Sequence, residues 1–240
     1  MIIGQSPEEL SAPLLKALEF FPELSDKRIM IYESSFFGVQ HTSRAYPPVI
    51  NFFGKKSNWI YVVAVNKRRR IWKFFQSLSF EQKVGLFAHE LSHLSYYSRR
   101  SRCGLIFFSL AYAFSKKFVR KIEKETDFYV VAKGVGKYLF GERITLCNFW
   151  ESHPYPETED TYIHPRELLA EMKKYPDFYP FQDLPIYTDA LATVNREPQR
   201  PGGYFKGISV RRKFKHSLRT IVAFFPELIK LFRAVKKNKK

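Results

Sequence analysis

Two histidines, His89 and His93, bracket Glu90, Leu91 and Ser92. Each helical residue advances the side-chain direction by about 100°, so positions four apart sit about 40° apart on one face. Both imidazoles can therefore reach one metal ion, and Glu90, one residue round, can reach a water on it. His-Glu-x-x-His is the arrangement in which zinc hydrolases carry two metal ligands and a general base. With six histidines in 240 residues, the same pentapeptide can also be two surface histidines and a solvated glutamate. The surrounding elements have to decide.

Two histidines do not complete a catalytic zinc site, which usually has three protein ligands and a water. One class takes a third histidine at the sixth position after the second, with Gly at the third. Here those positions hold Arg99 and Tyr96, which excludes that class. Another class takes a Glu from a neighbouring helix. Glu123 fits, with 29 residues between it and His93 for a connection and a return helix. Asp127 shares a helix face with Glu123 and can accept the outer N–H of a ligand histidine, fixing its tautomer. Asp127 or His153 is the alternative third ligand. The bland alternative for Glu123 and Asp127 is a solvated face paired with Lys121 and Lys124.

These residues need helices to hold them. Ser79-Phe-Glu-Gln82 is a capping box. It opens a helix to about Tyr97, backed by Val84, Leu86, Phe87, Leu91 and Leu94. Phe118–Leu139 reads as a second amphipathic helix closed by Gly141, followed by a polar, Pro-rich stretch over 141–161. Trp59–Val65 is the clearest strand, either a core strand or a sheet edge able to hold an extended peptide. Residues 28–32 and 49–53 read as further strands, 34–48 as a loop, and 6–20 as a helix with Ser6 as N-cap. Gly104–Phe114 is nearly all apolar, but as a helix residues 103–114 span only about 18 Å against about 30 Å for a bilayer core; the run reads as a buried helix or hairpin, with a short or re-entrant membrane insertion as the alternative. A helix beginning near Tyr162, with Pro165 in its first turn, ends before Pro176. The expected fold is α+β: a small mixed or antiparallel sheet packed on the His89/His93 helix and on the Glu123 helix. Three parts are expected: residues 1–175 as the metal-binding domain, 176–203 as a Pro-rich linker or wrapping segment, and 204–240 as a basic amphipathic helical tail.

Composition bounds the rest. Hydrophobic residues make up 45% and aromatics 17%, enough for a packed core and against global disorder. Two cysteines, Cys103 and Cys147, cannot form a disulfide framework, so a reduced, cytoplasmic compartment is expected. The first residues, MIIGQSPEEL, lack the pattern of a signal peptide. Of the net charge of +17, residues 196–240 supply most, with fourteen Lys and Arg against two acids. The excess is a property of the tail, so it is no nucleic-acid footprint of the whole chain. Leu and Phe among its basic residues favour an anionic membrane surface as the partner of 204–240, with nucleic acid second.

His89-Glu-Leu-Ser-His93 followed by Glu123-x-x-x-Asp127 resembles the gluzincin peptidases of the HtpX and CAAX prenyl protease type, and more closely their soluble minigluzincin versions. The resemblance spans roughly residues 5–175. It implies a zinc endopeptidase with His89, His93 and Glu123 as ligands, Asp127 behind them, Glu90 as general base and acid, and a peptide or protein as substrate. Thr126 stands where the family commonly has Ala. His164-Pro165 resembles a later His-Pro of membrane members, making His164 a catalytic candidate beside Tyr162 and Arg166 as oxyanion partners. The family's Arg further along has no match, since position 170 is Ala. The rival expectation is a non-catalytic binding protein with a structural metal site and a basic tail.

Overall fold

The computed structural model of the chain describes residues 2–3, 6–35, 42–151 and 162–194. Among them the fold is α+β, with eight α-helices around a small mixed sheet. The strands are β1 (Ile2–Ile3), β2 (Arg28–Ser34), β3 (Ser43–Ile50) and β4 (Ile60–Asn66), in the order β1-β2-β4-β3. β2 runs parallel to β1 and β4, and β3 antiparallel to β4. Every residue of β4 is buried, the mark of a strand covered on both faces. Tyr61, Val63 and Val65 join the main core, while Ile60, Val62 and Ala64 join Met30 on the other face.

β4 is therefore a core strand, and the edge beside it is β3. Residues 34–48, expected as a loop from Gly38, Pro47 and Pro48, hold most of β3 instead. Proline cannot donate to a ladder but is tolerated on an edge strand. Here the pairing with β4 shifts between Tyr46 and Ile50 to accommodate the two prolines.

α1 (Glu8–Leu18) starts after Pro7, which takes the N-cap position assigned to Ser6. α2 (Arg69–Ser77) was not anticipated behind its basic start; it buries Ile71, Phe74 and Phe75. α3 (Phe80–Arg99) opens on the expected capping box: Ser79 Oγ accepts from the Gln82 N–H, and Gln82 Oε1 accepts from the Ser79 N–H. α4 (Arg102–Phe114) follows, then α5 (Lys116–Ala132) and α6 (Gly136–Glu151).

The long helix expected over 118–139 is thus two helices. Gly134, at φ +80°, ends α5. Its N–H bonds to Val131 O and the Val135 N–H to Val130 O, the two bonds of a Schellman turn. Gly141 lies inside α6, and that helix runs on through the stretch read as polar and Pro-rich as far as Glu151. α6 packs closely on α3 at Gly85, where a Cβ would stand 2.4 Å from the backbone carbon of Tyr138.

The apolar run 104–114 is a helix but not a buried one. α4 buries Leu105 and Phe108, while Ile106, Phe107, Leu110 and Phe114 face out. α7 (Pro165–Met172) leads into a segment that is helical rather than extended, with α8 at Leu184–Ala192. Tyr179 anchors this segment: its hydroxyl accepts from the Gly136 N–H and donates to Val131 O. Residues 195–240, including the basic tail, and His153 lie outside the described residues. No helix among the described residues is long and apolar enough to cross a membrane.

Candidate metal centre

α3 and α5 lie side by side, and the small Ser92 lets them approach; its hydroxyl donates to Thr126 O. That packing turns one face of each helix toward the other. His89 and His93 come from α3, Glu123 and Asp127 from α5, and all four are buried.

Three ligand atoms converge. His89 Nε2 stands 3.0 Å from Glu123 Oε2 and 3.2 Å from His93 Nε2, and His93 Nε2 stands 3.5 Å from Glu123 Oε1. Atoms held 2.0–2.1 Å from a tetrahedral zinc are roughly 3.3 Å apart, so this spacing suits one ion among the three. The outer nitrogens are also engaged. His89 Nδ1 lies 2.7 Å from Asp127 Oδ1, and His93 Nδ1 lies 3.3 Å from Thr126 Oγ1. A Nδ1–H held by Asp127 leaves the Nε2 lone pair of His89 directed at the ligand point. Lys121 and Lys124, the candidate partners of a solvated acidic face, pair instead with Glu125 and Glu167.

Electrostatics follow from burial and pairing. Burial disfavours a charged His89, but Asp127 and Glu123 outweigh it and raise its pKa to about 10. Burial would raise the Glu123 pKa, yet His93 and His89 hold it well below the usual carboxylate range. The site without metal is therefore an ion-paired cluster.

A buried arginine, unremarked in the sequence, stands behind it. Arg143 of α6 donates through NH2 to Asp127 Oδ1 at 2.9 Å and through NH1 to Glu142 Oε2 at 2.6 Å. Its guanidinium also lies 4.6 Å from the centre of the Tyr162 ring, which packs edge-on against His89. Tyr112 of α4 is a second such residue: its hydroxyl donates to Glu123 Oε1 at 2.5 Å.

Glu90 faces the sheet edge. Ser43 Oγ donates to its Oε1 at 2.7 Å, and the Ala45 N–H, on the side of β3 away from β4, donates to its Oε2 at 2.5 Å. Beside it lies a cavity of about 10 Å³, lined by Ser43, His89, Glu90, Glu142, Arg143 and Tyr162. That is room for about one water and no substrate. Tyr162 thus borders the site. His164 begins α7, where its Nδ1 accepts from the Arg166 N–H, and neither residue lines the cavity.

Comparison of the chain with models of protein families, with curated proteins and with solved structures finds no match.

Proposed function

We propose that the chain is a zinc-dependent metalloendopeptidase of small gluzincin architecture, in which β3 is the substrate-facing edge. The observation that carries this reading is the convergence of His89, His93 and Glu123 on one point, with Glu90 next to His89 on the same helix. The donor set, two imidazoles and one carboxylate, suits zinc. A zinc ion held there supplies Lewis acidity and a water whose pKa falls toward about 7.

The chain's own residues do the rest. Asp127 fixes the tautomer of His89, and Tyr112 orients Glu123. Glu90 takes a proton at the cavity and returns it to the leaving amine. Its two hydrogen bonds to β3 aim the carboxylate while leaving each oxygen a further lone pair. The outward edge of β3 can pair with an extended peptide once Glu90 releases the Ala45 N–H. Glu90 is buried and the cavity beside it holds about one water, so Tyr162 and β3 have to part before a peptide reaches Glu90.

The small size of that cavity favours a second reading, a structural metal site without catalysis. Metal analysis combined with a Glu90→Gln variant separates the two. The peptidase reading expects one zinc per chain and a parent that cleaves a denatured protein substrate about a hundredfold or more faster than the variant. A metal-bound chain in which parent and variant are equally inactive on unfolded substrates supports the structural reading instead.

A further inference from the structure

From Leu105 to Phe114 α4 carries apolar side chains on every side, with Ser109 and the Tyr112 hydroxyl as the exceptions, yet only one side of it is covered. A helix of that kind is normally buried on every face. Leu105 and Phe108 point into the core and Tyr112 toward Glu123, which defines the inner face. At about 100° per residue, Ile106, Leu110, Phe114 and Phe107 fall on one arc opposite it. Phe107 is 71% exposed, and the other three are roughly half exposed. The turn before β4 adds to the same end of α4. Arg102 donates to Gly54 O, next to Phe53, which is 88% exposed.

Charge identifies the occupant. Residues 99–122 contain no acid; Arg99 pairs with Glu23 and Lys121 with Glu125, while Arg100, Arg102, Lys116 and Lys117 stand at the two ends of α4. The cations sit at both ends of the apolar arc. Two copies of the chain meeting through this face would bring like charges together, which disfavours self-association. A phospholipid surface satisfies both features: apolar side chains enter the acyl boundary and Lys and Arg meet anionic headgroups. α4 has 13 residues, about 20 Å of helix, so it can lie in that interface but not cross it.

We propose that α4 is an interfacial helix that docks the folded domain on an anionic lipid bilayer through Ile106, Phe107, Leu110 and Phe114. This docking is separate from any role of residues 204–240 and does not depend on the reading of the metal site. Tyr112, on the inner face, places the docked surface one helix away from Glu123.

The test is sedimentation of the full chain with phosphatidylcholine vesicles, with and without phosphatidylserine. The parent is expected to bind the phosphatidylserine vesicles, more weakly in high salt, and to leave the neutral ones. A Phe107→Asp/Leu110→Asp variant keeps the tail and changes only exposed side chains. It is expected to melt as the parent does and to bind at least about tenfold more weakly. A Lys116→Glu/Lys117→Glu variant is expected to lose binding in the same direction. Three results would overturn the proposal: a parent that ignores anionic vesicles, an aspartate variant that binds as tightly as the parent, or a parent dimer that the aspartate variant turns into a monomer.

Discussion

Asp127 Oδ1 lies 2.7 Å from Nδ1 of His89 and 2.9 Å from the guanidinium of Arg143. One carboxylate oxygen thus joins His89, a proposed metal ligand, to a buried cation on a different helix. The cation keeps Asp127 ionised, and the ionised carboxylate keeps the His89 proton on Nδ1. Burial alone would raise the Asp127 pKa; Arg143 and then His89 lower it. Asp127→Asn retains the shape but loses the charge, so zinc affinity is expected to fall by about 10–100-fold, read by competition with a chromogenic chelator. Equal affinity in the two proteins would mean that Asp127 does not direct His89.

Arg143 is expected to matter for stability as well. It is buried and faces two buried carboxylates, those of Asp127 and Glu142. Burial raises the Glu142 pKa, and Arg143 opposes that rise. Arg143→Met would leave Glu142 without its cation and Asp127 with His89 alone, at a cost of about 3–5 kcal/mol. A Tm lowered by about 10 °C is the expected result by calorimetry. An unchanged Tm would show that the two carboxylates find other partners.

On the proposed reading, zinc has to displace a proton. With its pKa raised to about 10, His89 in the metal-free chain is protonated at neutral pH. The sign follows from the raised value. The contribution of this ion pair to metal-free stability is complete below the ordinary histidine value of 6.5 and is lost as pH rises through about 10. Zinc binding near pH 7 is therefore expected to release about one proton and to tighten as pH rises. Titration calorimetry in buffers of different ionisation enthalpy measures that proton; a release of zero contradicts the assignment.

What could be read from the sequence was local. The spacing of His89 and His93, the Ser79 capping box and the shared face of Glu123 and Asp127 all follow from helical periodicity, and the structure brings these residues together. What escaped depended on where elements end. With Gly141 as the helix stop Arg143 falls outside any helix, whereas the stop is Gly134 and Arg143 lies in α6. The signal is a glycine followed by the apolar Val135, a pairing that frequently accompanies a Schellman turn. Pro47 and Pro48 hid β3 in the same way, and with it the contacts of Ser43 and Ala45 to Glu90. Tyr112 was submerged in an apolar run whose two faces only tertiary packing distinguishes.

Gly85 is the tightest point between α3 and α6. In an exposed helix, Gly→Ala stabilises by roughly 1 kcal/mol. Here the added Cβ would meet backbone atoms of Tyr138 and Leu139 at 2.4–2.5 Å, and a backbone cannot rotate away. Gly85→Ala is therefore expected to destabilise by about 3 kcal/mol or more, as the helices separate. It is also expected to weaken zinc binding, because Arg143 rides on α6. A melting temperature above that of the parent would show that the approach of α6 is looser than described.

Acid should loosen the pair of helices that carries the ligands, and Glu23 is the group to watch. It follows α1 and binds both α3 and α5: its Oε1 accepts from Ser95 Oγ at 2.8 Å and from the Tyr129 hydroxyl at 2.7 Å, and its Oε2 from Lys133 at 3.0 Å. Partial burial would raise its pKa, but these donors outweigh that and lower it to about 2. A depressed carboxylate pKa contributes stability above its unfolded value, 4.5, and loses it as pH falls toward about 2. Exposure of about a quarter of the side chain lets solvent screen part of the effect. In Glu23→Gln, Tm at neutral pH should fall, and the further decline of Tm between pH 4.5 and about 2 should become shallower than in the parent. Parallel Tm curves for the two proteins across that window would remove Glu23 as the acid-sensitive link between α3 and α5.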